Sequence, residues 1–243
     1  MSVIFRLTMR QMLGRGRTIT MVVLALLPVA LAVVYRLGSE DTEPGRWAVE
    51  GFEGLIVTTL LPLAAVVYGT AVLGAEIEDG TAVYLLSKPV SRARIVLAKL
   101  AASWVLTSAT VLLAAVGAGT VALYGEAHDR IVLGFGVALV AGALVYSALF
   151  LLLSLVTSRA LIAGLVYVFV WEGVVNSLFA GTRLLSVRHY TLGIADAIVD
   201  VPSGVFDAKL GFVSAIALMA AVGLGATWYA VRRLQRFEIG ETT

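Results

Sequence analysis

An all-α integral membrane protein is the fold class that this sequence predicts, and three observations carry the prediction. The 243 residues are 60% hydrophobic and 14% charged, whereas soluble domains run at about 45–50% apolar and about 25% charged. Mean hydropathy is +0.96. The apolar residues also gather into runs long enough to cross a bilayer, since roughly 20 of them in a helix span about 30 Å of hydrocarbon. Six such runs predict six transmembrane helices, at about 18–37, 54–75, 96–124, 131–156, 160–180 and 210–231. No internal repeat, low-complexity tract or soluble domain interrupts them, so residues 1–243 read as a single transmembrane domain.

The segment before the first span, MSVIFRLTMRQMLGRGR, is amphipathic. At about 100° per residue Arg6, Arg10 and Arg17 fall within one arc, with Ile4, Phe5, Leu7 and Met12 on the other side. Two readings of these residues stand side by side: an interfacial helix with its Arg side chains on anionic lipid, or a simple positive-inside anchor. In the first span Ala30-Leu31-Ala32 resembles a signal-peptide cleavage site. Apolar residues continue through Val33, Val34 and Leu37, however, which predicts a retained helix. Pro28 and Pro62 should kink the first and second spans. The 38–53 interval reads as an acidic, exposed loop. The third and fourth spans are long enough to tilt or project, and Gly134, Ala138 and Gly142 give the fourth a stripe of small residues suited to close packing. Tight turns are expected near residues 128 and 158. In the longest loop, 181–209, Ile194, Ala197, Ile198 and Val201 could form a short helix on the outer membrane face.

Orientation follows from the basic residues. With the N-terminus inside, most of the 18 Lys and Arg residues are cytoplasmic: Arg6, Arg10, Arg15, Arg17, Lys88, Arg92, Arg94, Lys99, Arg159, Arg232, Arg233 and Arg236. Arg36, Arg46, Arg130, Arg183, Arg188 and Lys209 fall outside. That asymmetry predicts N-in, C-in topology.

Several chemistries lack their parts. There is no cysteine, which removes disulfides and thiolate sites. His128 and His189 fall in predicted loops, and no H-E-x-x-H site, intramembrane Asp or membrane Ser with a nearby His occurs, which leaves an intramembrane enzyme without its groups. No G-x-x-x-x-G-K-[ST] loop occurs, so the chain does not hydrolyse ATP by that route.

One interval behaves unlike its neighbours: GAEIEDGTAVYLLSKPVSRARIVLAKL, residues 74–100. It is the only sizeable cytoplasmic loop in the predicted topology. Glu76, Glu78 and Asp79 precede Gly80 and Thr81; residues 82–86 can form a short helix that Thr81 caps and whose dipole favours the acidic residues. Pro89 stops that helix and Ser91 can cap the third span. The apolar run, with Tyr84 and Leu85 at its centre, either lies against its own bundle or docks a cytoplasmic partner.

The pattern E-x-E-D-G-T-A-x-x-L-L-S-K-P-V-S-R, followed by Lys99 and Leu100, resembles the first cytoplasmic loop of ABC-2 type transporter permeases. The likeness extends to the basic amphipathic N-terminal segment, the six spans and the long last outer loop. It implies the membrane subunit of an ATP-binding-cassette transporter, an exporter by family habit, in the plasma membrane of a prokaryote. It implies that residues 76–86 hold a coupling helix seated on a nucleotide-binding subunit. Glu76, Glu78, Asp79, Gly80, Thr81, Tyr84 and Leu85 would form it, and Lys88, Pro89, Ser91 and Arg92 would shape its return to the membrane. The N-terminal segment would correspond to the interfacial connecting helix. ATP and Mg would sit on a separate ATPase, present in two copies with two permease chains, and no cofactor would be bound by this chain.

One carboxyl, Glu172, lies within a predicted span, with Asn176 four residues on and on the same face. Burying such a group mid-membrane costs roughly 2.5–3.5 kcal/mol even on mild scales, so it should face protein or water. It could be a polar clamp between helices, or it could line a substrate path. A proton-coupled carrier that titrates Glu172 is the alternative function. Such a carrier would work without an ATPase and would normally hold more intramembrane polar groups.

Overall fold

The computed structural model describes residues 2–38, 43–78, 91–125, 129–178, 180–199, 205–206 and 208–236. Among these there is no strand, and five helices are long and apolar enough to cross a membrane: Gly16–Leu37, Pro44–Gly74, Arg92–Ala122, Arg130–Val156 and Phe212–Gln235. The all-α membrane class therefore stands. The stretch expected as the fifth span, 160–180, is instead a shorter apolar helix, Ala160–Val175.

The first helix, α1 (Ser2–Met12), is separate from α2 (Arg15–Leu37). Gly14, with extended ψ of 135°, breaks the path between them. The arc expected through Arg6, Arg10 and Arg17 assumed one continuous helix; Arg17 instead belongs to the apolar helix α2. Thr8 and Met12 form the buried side of α1, while Leu7 is exposed alongside Arg6 and Arg10. Pro28 lies inside α2, which nonetheless runs unbroken.

The interval expected as an exposed acidic loop holds α3 (Pro44–Gly51). Proline is well placed in a first turn because its missing N–H would be unbonded there anyway. Gly45, Ala48 and Val49 face inward, continuing into Phe52, which is 1% exposed. Apolar residues at helical spacing outweigh the acidic count that suggested a loop. A π-helical stretch, Phe52–Leu60, then leads into α4 (Leu61–Glu78). Leu61 N–H bonds Ile56 O, five residues back. Pro62 follows directly and has no N–H for the ordinary ladder. The expected proline distortion in this span thus coincides with a register shift, the usual company of a π-bulge.

Helices α5 (Arg92–Ala122) and α6 (Asp129–Val156) form the centre with α4, and α6 touches α4, α5, α8 (Val187–Asp196) and α9 (Phe212–Gln235). Helix α7 (Ala160–Val166) widens into a second π-helical stretch, Tyr167–Val175, before a last turn, Asn176–Leu178. Two apolar clusters fill the bundle. One is built around Phe52, Phe135, Tyr146, Phe150 and Tyr190, and the other around Met12, Tyr68, Ile95 and Leu151. The peripheral helices differ sharply from the central one: 28% of the α2 span and 17% of the α9 span are buried, against 61% for α6.

The small residues of α6 have a defined use. A Cβ on Gly142 would lie 2.4 Å from Thr191 Oγ1, and one on Gly134 would lie 2.6 Å from Val199 Cγ2. They seat α8 and the turn after it. Of the loop helix anticipated from Ile194, Ala197, Ile198 and Val201, Ile194 belongs to α8, Ala197 and Ile198 form the turn after it and Val201 lies outside the described residues; α8 begins earlier, and Val187, Tyr190, Leu192 and Ile194 are buried within the protein.

Candidate functional site

The interval expected on the cytoplasmic side is framed by two helix ends. Glu76 and Glu78 close α4, their side chains outside the described residues, and Asp79, Gly80, Thr81, Tyr84, Leu85, Lys88 and Pro89 also lie outside them. Arg92 opens α5 and is partly buried. Ser91 occupies the N-cap position as expected, yet its hydroxyl makes no cap bond; its carbonyl receives Arg94 N–H at 2.9 Å and Ile95 N–H at 3.3 Å.

Lys99 departs from its expected place on the cytoplasmic surface. It is 1% exposed, and its ammonium donates to Val72 O of α4 at 2.7 Å. A lysine two turns into α5 can bury its long stem against apolar neighbours while its head finds a backbone carbonyl. The consequence is a polar tie between α4, which leads into the 79–90 interval, and α5, which follows it. A charge near a predicted membrane edge is assigned to water by default, so this burial was not readable from the sequence.

Glu172 and Asn176 sit at the other end of the bundle, each 3% exposed. Glu172 Oε1 accepts from Val187 N–H at 3.0 Å and from Tyr167 O–H at 3.2 Å. Its Oε2 accepts from Ser186 O–H and, at 3.4 Å, from Asn176 Nδ2. The Tyr146 hydroxyl is near the same carboxyl but outside hydrogen-bond geometry. Val187 is the first residue of α8 and Ser186 its N-cap. The carboxyl thus meets a helix N-terminus, where unpaired N–H groups and the helix dipole favour an acceptor. Ser186 Oγ in turn receives His189 N–H at 3.4 Å and lies 3.0 Å from His189 Nδ1. Trp171 Nε1 donates to Leu185 O at 3.3 Å and Thr182 Oγ1 to Val175 O at 3.5 Å, so the short 3₁₀ segment Ala180–Leu185 is tied to the same helix.

Sequence reading paired Glu172 with Asn176 but missed Ser186, Val187 and Tyr167. The partners 14 and 15 residues on depend on how α8 docks, which no local spacing reveals. Tyr167, five residues before Glu172, is brought near by the wider π-helical turn rather than by α-helical spacing. His189 is held neutral: burial, then the nearby Arg188, Arg183 and Lys209 cations, lower its pKa to about 4. Among the described residues no group of three His, Asp or Glu side chains could hold a metal ion.

A broad apolar groove runs between α5, α6, α8 and α9, with a volume of about 810 Å³ and walls that include Leu97, Val137, Leu144, Ile198, Ile216 and Met219. In comparison with known families, the model of the ABC-2 family transporter proteins matches residues 2–194. No curated protein matches the chain.

Proposed function

Because the chain belongs to the ABC-2 family of transporter proteins, we propose that it is the permease subunit of an ATP-driven exporter whose ATPase is a separate polypeptide. A multi-pass membrane protein of this family is a transport subunit that works with an ATP-binding partner. The observation that carries the finer reading is the 74–100 interval, whose acidic cluster, Gly-Thr step, Leu-rich run and Pro-x-Ser-Arg return run in sequence from the end of α4 to the start of α5. In this reading that interval holds the coupling helix, α1 is the interfacial helix, and two copies of the chain meet two ATPases in a prokaryotic plasma membrane.

Six spans with N-in, C-in topology are part of the proposal. Residues 160–178 are helical throughout and fall within the roughly 17–25 residues of a transmembrane helix, enough to supply the sixth crossing. The apolar groove, whose polar lining is confined to Thr227, supports a lipophilic substrate. Glu172 fits a clamp better than a carrier's titrating group, because its oxygens are engaged by Ser186, Val187, Tyr167 and Asn176.

The test is reconstitution with the ATP-binding subunit. The purified chain should show no ATP turnover, and turnover coupled to transport should appear on adding that subunit. Glu76→Lys with Glu78→Lys should weaken the complex and uncouple transport while leaving membrane insertion intact. ATP turnover by the chain alone, or wild-type capture of the ATPase by the double variant, overturns the assignment.

A further inference from the structure

Apart from the apolar groove, the outer end of the bundle encloses a polar cavity of about 240 Å³. Glu53, Asn176, Arg183, Arg188, His189 and Lys209 contribute to its wall. Four elements therefore converge: the π-helical stretch before α4, the end of the 160–178 segment, the 3₁₀ segment with α8, and the approach to α9. Among the described residues of the wall three cations face one carboxylate, Glu53, which is 3.6 Å from Arg188 Nη2. His189 adds no charge at neutral pH.

Two residues of this wall each carry a buried polar atom with no hydrogen-bond partner among the described residues, Arg188 Nε and Asn176 Oδ1. Asn176 Nδ2 is committed to Trp171 O at 2.9 Å, which fixes the amide orientation and leaves the oxygen as the open acceptor. Buried polar atoms are nearly always satisfied, so two orphans in the wall of one cavity ask for a common partner. They are of opposite sense. Arg188 Nε requires an acceptor, and the surrounding cations favour an anionic one; Asn176 Oδ1 requires a donor. Guanidinium groups match phosphate oxygens geometrically.

We propose that this cavity binds a phosphate group that brings its own hydrogen-bond donor, as inorganic phosphate does through P–O–H and a phosphoethanolamine headgroup does through its ammonium. Arg188, Arg183 and Lys209 would hold the phosphate oxygens, and Asn176 Oδ1, with Glu53 in the same wall, would take the donor. The binding chemistry goes beyond the transport reading and does not depend on it. Only the leaflet that supplies a lipid rests on the proposed orientation.

Calorimetric titration of the full chain in detergent tests the proposal with three probes: inorganic phosphate, a short-chain phosphatidylethanolamine and the matching phosphatidylcholine, whose quaternary ammonium cannot donate. At least one of the first two should bind saturably, with phosphatidylcholine about tenfold weaker or undetectable. Phosphate alone binding identifies the free ion; the ethanolamine lipid alone identifies the headgroup. Arg183→Gln with Lys209→Gln should weaken binding about tenfold or more while the melting curve stays that of the wild type. Arg188→Gln should abolish binding, and because it also removes the Glu53 contact, the double variant gives the independent reading. Saturable binding of neither probe, equal binding of the ethanolamine and choline lipids, or unchanged affinity in the double variant overturns the proposal.

Discussion

Glu172 is a carboxyl among apolar residues whose two oxygens meet hydroxyl, amide and backbone donors from three directions. A clamp of this kind needs acceptors more than it needs charge. Glu172→Gln keeps one oxygen for Val187 N–H and Tyr167 O–H, and its amide can donate to Ser186 Oγ. It should therefore assemble with the ATPase and retain most transport. Glu172→Leu strands the Val187 N–H and the Ser186 hydroxyl, at about 1–3 kcal/mol for each buried unsatisfied group, and should lower assembly. A Gln variant that assembles fully yet transports nothing would make the charge itself functional. His189 gives a separate, pH-dependent signature at the same end. Its folded pKa of about 4 lies below the usual 6.5 because of burial and of Arg188, Arg183 and Lys209. Between those values the unfolded chain binds a proton that the folded chain excludes, so this residue's effect is to lower stability as pH falls from about 6.5 toward 4. Melting temperatures across that range should fall less steeply for His189→Gln than for the wild type; parallel curves would mean that His189 does not titrate in this way.

At the scale of elements, α8 is seated on α6 by the absence of side chains. An alanine Cβ at position 142 would stand 2.4 Å from Thr191 Oγ1 and 3.0 Å from Leu61 Cδ2. Overpacking of this kind costs typically about 1–3 kcal/mol. Gly142→Ala should thus lower the melting temperature, and adding Thr191→Ala, which removes the opposing hydroxyl and methyl, should recover part of the loss; no recovery would place the strain elsewhere. This interface also marks where sequence reading stopped. The stripe of Gly134, Ala138 and Gly142 was legible as a packing surface because spacing alone puts those residues on one helical face. Its partner was not, because the position of α8 follows from contacts far along the chain. The 38–53 interval was misread for a different reason. Its acidic residues drew attention away from Ala48, Val49 and Phe52, whose spacing buries one side of α3 and its π-helical continuation. The long apolar helices were the readable part, since length and hydropathy act locally, whereas the 160–178 segment shortens where its backbone widens around Glu172.

For the whole molecule, the question is how an event at the interval between α4 and α5, proposed to be cytoplasmic, reaches the membrane. Helices α4 and α5 flank that interval and pack against each other and against α6. Lys99 ties them where they leave the interval, with its ammonium on Val72 O and its stem within the inner apolar side of the bundle. A buried cation is a costly way to gain stability, and replacing it with an apolar residue of similar length is often tolerated. Its expected value is geometric: tied in this way, the two helix ends should move as a pair, so that a displacement of the interval passes to both. Lys99→Met keeps the length and apolar stem and removes the polar tie to Val72 O. The variant should insert, melt within a few degrees of the wild type and bind the ATP-binding subunit. Transport per ATP hydrolysed should fall severalfold, because the subunit would turn over without driving α4 and α5 as a pair. Reconstitution in vesicles with simultaneous measurement of phosphate release and substrate movement gives that ratio directly. An unchanged ratio would reduce Lys99 to a packing residue, and a variant that fails to insert would make the tie essential to the fold before it could serve coupling.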